Sequence, residues 1–457
     1  MSKFGQLIDS EVPILLDFYT EWNESSTSMH PVLNEVAAAI GDKGKVIKIN
    51  VDKNNELAQA LRIKGLPTLM IYKSGHVIDV KNNIDGIYDL AISKNKIVAV
   101  NKKINENEAL RVIDASGLLV VPGLIDIHSH NFHGTIPDKY LSNSFSALPP
   151  DGFSFRSGVT TIVDVGGAGW RNFKVFKNQV IDRSQTRVLS FLNIVGFGMQ
   201  GGAIEQNIDD MNPEMTAKMV KEYPNEIVGI KLAHFNGYNW LPVDRVVKAG
   251  NLSNVPVMID FGGSKPIMPL DSLLLNKLRP GDIFTHTYAN VLGRMSIVDG
   301  NNKLFPFVKK AQKRGIIFDV GHGGGSFAFS QAVPAIAQGL KPNTISTDLH
   351  TGSMNRGMKD LLNVMSKFLN IGLNLNEVIS ATTWDAAKVI KRDDLGNLSL
   401  GAVADITILN IRTGKFGFVD TKDKKVSGDK KIECEMTIKD GQIVYDLNGI
   451  SSNFWNK

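Results

Sequence analysis

Between residues 120 and 347 the chain alternates short apolar runs with longer stretches of helical spacing. The runs fall at 120–127, 160–165, 188–194, 227–232, 255–259, 283–285, 316–320 and 344–347. Apolar runs of this length read as strands buried on both faces, and the periodic stretches between them read as covering helices. Eight strands alternating with helices predict a (β/α)8 TIM barrel, whose chemistry gathers at the C-terminal ends of the strands. On both flanks the period falls to two. Residues 76–79, 87–92, 96–100 and 111–114 ahead of the barrel, and 401–409 and 436–444 behind it, alternate between Asn, Gly and Lys turns. That pattern predicts a small half-buried β-sandwich assembled from both flanks. The first seventy residues read as strand 14–19, helix 29–40, strand 45–51, helix 56–61 and strand 69–72, an N-terminal α/β unit. The expected division is therefore 1–74, then 75–119 with 400–450, then 120–399. Residues 71–79 are claimed by both the first unit and the sandwich.

Composition narrows the classes. The 457 residues are 43% apolar, and a net charge of +5 on 21% charged residues is mild. The basic residues are dispersed apart from short clusters such as 422–431, which read as solvated loop, so nucleic acid is not an expected partner. A single cysteine, Cys434, leaves no intramolecular disulfide and no cysteine-based zinc cluster. The apolar stretch at 13–18 is too short for a signal core or a membrane span, so a soluble cytoplasmic protein is expected.

The first apolar run closes on His128 and His130. Residues i and i+2 of a strand point the same way, so these imidazoles are placed to grip one ion, although an arbitrary pair of this spacing more often bonds a loop. Lys231 stands inside the fourth run, where a bare ammonium is costly to bury. The run P-G-L-I-D-I-H-S-H at 122–130 resembles the first barrel strand of the amidohydrolase superfamily. That resemblance implies a set of metal ligands: His128, His130, His286 at the end of the sixth run, Asp348 at the end of the eighth, and Lys231 carboxylated to a bridging carbamate. It implies one or two divalent ions, most simply zinc. Asp348 would serve also as the base that takes a proton from a metal-activated water and passes it to the leaving nitrogen. The family's strand-five histidine is absent. Asp260 stands there, either ligating through oxygen or holding a neighbouring group.

Loop motifs G-H-G-G-G-S-F at 321–327, T-G-S-M-N at 351–355 and H-G-T at 133–135 resemble a dihydroorotase-related group of deacetylases. They make His133, His322 and His350 candidate substrate contacts, while His234 and His76 read as structural. True dihydroorotases carry an arginine two residues beyond H-x-H, and here that position is Phe132. The expected activity is hydrolysis of an amide-type or ester bond in a small N-acyl or O-acyl substrate, with a cyclic amidohydrolase as the alternative. A reading of another class is a catalytically weak barrel scaffold carrying a docking module. The first unit resembles thioredoxin in D-F-Y-T-E-W at 17–22, V-D-K-N-N-E-L at 51–57 and G-L-P-T-L at 65–69, which would make Pro67 that family's cis-proline. Where thioredoxins carry W-C-x-x-C this chain has Trp22, Asn23, Glu24, Ser25 and Ser26, so it has no thiolate for disulfide exchange. A protein partner for this unit and a homo-oligomer are left open.

Overall fold

The computed structural model describes residues 12–19, 24–51, 53–54, 69–134, 146–260 and 263–455. The described residues of the N-terminal unit include β1 (Ile14–Tyr19), helix α1 (Glu24–Ile40) and β2 (Lys45–Asn50), with β1 and β2 paired in parallel. Pro67, the short helix expected at 56–61 and the Trp22–Asn23 pair lie outside the described residues.

The strand expected to complete that unit belongs elsewhere. Residues 69–72 open β3 (Leu69–Asp79), which pairs antiparallel with β4 (Ile84–Ser93) and parallel with β6 (Arg111–Asp114). With β5 (Lys96–Asn101), β7 (Leu119–Pro122), β15 (Ile406–Val419), β16 (Lys425–Lys439) and β17 (Gln442–Asp446) these strands form one eight-stranded sheet, in the order β17-β16-β15-β7-β3-β4-β5 with β6 alongside β3. Alternate residues from both flanks, among them Tyr72, Val77, Ile92, Ile97, Ile406, Ile408 and Met436, meet in a single core. That alternation is the period-two signal visible in the sequence. The lysines at 422–431 fall on the β15–β16 hairpin, where most are exposed.

The apolar run at 120–127 divides in two. Its first half is β7, bonded to β15 of the sheet, and its second half is the first barrel strand β8 (Leu124–Ser129). Gly123 is the joint: its N–H donates to Asp405 O at 2.8 Å, and an added Cβ would lie 2.3 Å from Thr160 Oγ1 and 2.9 Å from Asp405 Cβ. Gly123→Ala is therefore expected to cost about 1–3 kcal/mol, as overpacking of a closed site does. A lower urea midpoint at unchanged slope checks this, and an unchanged midpoint would mean that the joint relaxes freely.

From β8 the parallel barrel runs through β9 (Val159–Gly169), β10 (Arg187–Asn193), β11 (Ile227–Leu232), β12 (Val257–Ile259), β13 (Ile283–Phe284) and β14 (Ile317–Phe318). The eighth run, 344–347, is not a regular strand, but it closes the barrel all the same. Val320 N donates to Thr344 O and Gly323 N to Thr347 O on one side. On the other, Asp348 N donates to His128 O at 2.7 Å and His130 N to Leu349 O at 3.0 Å. Buried Asp126 of β8 completes the seam by accepting from Thr347 N at 3.0 Å and Thr347 Oγ1 at 2.5 Å. Among the described residues no helix is long and apolar enough to cross a membrane.

Candidate active site

The C-terminal ends of the strands bring His128, His130, Lys231, Asp260, His286, Asp348 and His350 to one cleft of about 300 Å³, far apart as they are along the chain. His128 is the penultimate residue of β8 and His130 lies just past its end, and both direct Nε2 at Asp348 Oδ1, at 3.7 Å and 2.9 Å. His286 and Asp348 lie just past strand ends with φ of +55° and +51°, and His234, also on the cleft wall, has φ of +53°. Left-handed backbone at residues with side chains is uncommon and clusters where function fixes the geometry.

Hydrogen bonds behind the imidazoles set their tautomers. Thr285 Oγ1 donates to Asp319 Oδ2 at 2.7 Å, so at 2.8 Å it must accept from His128 Nδ1–H. His128 Nε2 is then a bare lone pair facing a carboxylate oxygen. Burial, with the charge of Lys231, pulls the His128 pKa down to about 3, so the ring is neutral at any ordinary pH. Burial works to raise the Asp348 carboxyl, but the His130 hydrogen bond and the imidazoles of His350 and His286 work against it, and it is held well below the usual carboxylate range. Among the described residues the buried Nδ1 of His130 meets no hydrogen-bond partner. His128, His130 and Asp348 each offer a ligand atom within 4.8 Å of the others'. A neutral lone pair, a second imidazole and an ionised oxygen converging without a proton between the first and last fit a divalent cation.

Lys231 is 1% exposed, with Nζ 3.6 Å from Met258 Sδ. Burial pulls its pKa down, against the pull of Asp260, Asp348 and Asp319. Asp260 accepts from Arg294 Nη1 through Oδ1 at 3.2 Å, and its Oδ2 lies 3.4 Å from His286 Nε2 and 3.5 Å from His234 Nε2. His286 is held from behind by Nδ1–H donating to Gly321 O at 2.6 Å.

Two of the three candidate substrate contacts stand away from this cleft. His322 is fully buried, stacked on Phe327 with a ring separation of 4.5 Å and accepting at Nε2 from Lys367 Nζ at 2.7 Å. Its Nδ1–H donates to Gly323 O at 2.9 Å, so the ring braces the glycine loop. His133 lines a separate hollow with Lys174 and Arg183, and Thr135 beside it lies outside the described residues. His350 remains on the cleft wall, 4.0 Å from Asp348. Phe132 packs on Phe176 at 4.9 Å in the core, so its position offers no cationic clamp to a substrate.

Sequence reasoning passed over Arg294, Asp319, Thr285 and the pair His234–Glu205, whose Nδ1 to Oε2 distance is 2.7 Å. Asp319 left a signal, an acid inside an apolar run, of the same kind that marked Lys231. Arg294 sits in a loop without periodicity and left none. A larger hollow of about 700 Å³ opens at the opposite ends of the strands, beside Val255, Asp282 and Ile317. Of its cations, Arg279, Lys341 and Lys388 are paired with Asp282, Glu377 and Asp385, and Lys391 donates to Asn254 O at 2.8 Å.

Comparison with known proteins divides the chain in two. Residues 1–99 match the thioredoxin family model and residues 349–445 match that of an amidohydrolase family. A deacetylase from Brucella anthropi is 33% identical over 335 residues, covering 72% of this chain and 80% of the relative. Thioredoxin 1 from a Nostoc species is 40% identical over 80 residues, 17% of this chain and 75% of that protein. Among solved structures, a dihydroorotase superposes with a TM-score of 0.74 at 28% identity, over 82% of this chain and 99% of that one. An adenine deaminase gives 0.73 at 26% identity, over 84% and 100%. The thioredoxin match runs into β3, β4 and β5, which the structure places in the large mixed sheet.

Proposed function

Because this chain belongs to the amidohydrolase family, with a segment of the thioredoxin family at its N-terminus, we propose that it is a metal-dependent deacetylase of small N-acyl or O-acyl compounds. The observation that carries the reading is the bare Nε2 of His128 turned toward the ionised Asp348, a contact that asks for a cation between them. His128, His130 and Asp348 would hold the ion, with His286 and a carboxylated Lys231 as further ligands. Nitrogen and oxygen donors of this kind suit zinc. Carboxylation is the chemistry that makes a buried lysine among acids useful, since it turns an awkward cation into an oxygen donor. A divalent ion bound there supplies Lewis acidity toward the acyl oxygen and toward water.

The protein's own groups supply the remainder. Asp348 takes a proton from the attacking water, the water oxygen bonds to the acyl carbon, and the carbon–nitrogen bond breaks as Asp348 returns the proton to the leaving nitrogen. Thr285 and Asp319 hold the His128 ring, and Gly321 O holds that of His286, so neither imidazole reorganises during the reaction. The cleft, at about 300 Å³, lies at the small end of the range for small-molecule sites. Deacetylation is favoured over dihydroorotate-type ring opening because Phe132 lies buried where that reaction places a carboxylate-binding arginine.

The test is a panel of N-acetyl amino acids, acetylated hydroxy acids and cyclic imides, assayed before and after a chelator and again with zinc restored. Acetate release that the chelator stops and zinc returns is expected. Turnover of cyclic imides alone would move the assignment to a cyclic amidohydrolase, and release unaffected by thorough metal removal would overturn the metal-dependent reading.

A further inference from the structure

The glycine loop 321–326 follows β14 and runs along the cleft, and two of its glycines meet the site with backbone alone. Gly321, with φ of +47°, gives its carbonyl to His286, and a Cβ there would lie 2.5 Å from Thr285 Oγ1 and 2.9 Å from His286 Nδ1. Gly323, with φ of +54°, lies so close to the proposed base that a Cβ would come within 2.2 Å of Asp348 Oδ2. Neither place has room for a side chain. Gly324, Gly325 and Ser326 continue along the cleft wall. Beyond them the chain is fixed to the β15–β16 hairpin, where Thr421 N donates to Phe327 O at 3.0 Å and Phe329 N to Asp420 Oδ2 at 2.9 Å.

His322 stands between the two glycines with its ring turned away from the cleft, and both ring nitrogens are engaged. Gly323 O can only accept, so Nδ1 carries the proton that bonds it at 2.9 Å. Burial keeps the ring neutral, so Nε2 is a lone pair. Lys367, on the helix Leu361–Asn370, gives that lone pair an N–H from Nζ at 2.7 Å and gives a second to Gly357 O at 2.6 Å. The lysine is 0% exposed, and burial pulls its pKa down to about 7, with Asp420 and Asp360 opposing and Lys359 adding to the fall. As ammonium or as amine it has the two N–H groups that these acceptors need. Both partners are neutral, an imidazole and a carbonyl, so they offset the cost of burying the lysine less than a carboxylate would.

Without that donor the imidazole is free to take its other tautomer, which would turn a bare Nδ1 toward Gly323 O, lone pair against lone pair. Resting on the hydrolytic reading above, we infer that Lys367 is a positioning residue: by donating to Nε2 it fixes His322 in the Nδ1–H form, and that form holds Gly323 against the Asp348 carboxylate. The effect reaches the base through one ring and one peptide, and Lys367 itself does not line the cleft. It repeats, beside the base, what Thr285 and Asp319 do behind His128.

Selective isotope labelling of the nine histidines, with nitrogen NMR of the zinc-loaded full chain, tests the tautomer. The resonance that His322→Gln removes is expected to report Nδ1–H in the wild type and to move toward Nε2–H in Lys367→Met. Kinetics test the consequence. In saturating zinc, with bound metal measured on the same sample, Lys367→Met is expected to lower kcat by about 10- to 100-fold with KM little changed, the range that groups behind a site's direct contacts produce. Two further variants separate positioning from packing. Asparagine at 322 places its amide nitrogen where Nδ1 stood and still donates to Gly323 O, whereas glutamine reaches the lysine instead, so His322→Asn is expected to keep more of kcat than His322→Gln. That pair also carries the kinetic test should Lys367→Met fail to fold. An Nε2–H tautomer in the wild type, a tautomer unmoved by Lys367→Met, unchanged kcat in the folded variant, or equal loss in the two His322 variants would each overturn the inference. A wild type that releases no acetate would instead end the hydrolytic reading, and the spectrum would still decide the tautomer.

Discussion

Asp348→Asn is expected to lower kcat by about 10²- to 10⁴-fold, the range that removal of a positioned general base produces, with KM little changed. Asparagine keeps the shape of the side chain and an oxygen for His130, but its amide cannot accept and return a proton at neutral pH. The wild-type carboxylate is ionised throughout that range, since its neighbours hold it far below the ordinary value. Because Asp348 also stands among the candidate ligands, the assay belongs in saturating zinc, with bound metal measured on the same sample. Loss of turnover with metal retained separates the proton-transfer role from the ligand role. Full activity in the variant would remove Asp348 as the base, and loss of metal alone, restored in activity by more zinc, would leave it a ligand only.

What the sequence made legible follows from the periodicity of strands. His128 and His130 could be paired on paper because i and i+2 share a side of a strand, and Lys231 stood out because an ammonium inside an apolar run needs a reason. Both signals are local. The groups behind the imidazoles are not: Thr285 and Asp319 act on His128 across 157 and 191 residues of chain, and only barrel closure brings them there. The division of one apolar run into β7 and β8 was hidden for a related reason. Periodicity reports burial, and Val120, Val121, Leu124 and Ile125 are all buried, two in one strand and two in the next. The glycine between them is marked only by the close approach of Thr160, which no local pattern encodes. His322 shows the converse limit. Its glycine-rich setting reads as a substrate loop, yet the ring is turned inward onto Phe327 and Lys367. A loop motif specifies backbone shape more securely than it specifies which way a ring faces.

The junction with the thioredoxin-family segment yields the other large effect, because two truncations thirteen residues apart are expected to behave oppositely. A chain lacking residues 1–60 keeps all of β3, and with it the register Met70 to Ile92, Ile71 to Ala91 and Tyr72 to Leu90 against β4. It is expected to fold and to retain hydrolysis, since every candidate site residue and its supports lie beyond residue 120. A chain lacking residues 1–73 loses Ile71 and Tyr72, which are 0% and 1% exposed, together with the whole of the pairing to β6. Emptying two such core positions costs about 3–5 kcal/mol each, a sum comparable to the whole stability of an ordinary domain. The open edge left on β4 and β6 would add a surface prone to aggregation. Insoluble or molten protein is therefore expected from the longer deletion and active soluble protein from the shorter one, read by solubility, thermal melting and acetate release. Equal activity from both would show that the sheet closes without the start of β3. Failure of both would show that the thioredoxin-family segment is needed by the hydrolase beyond the strand it lends.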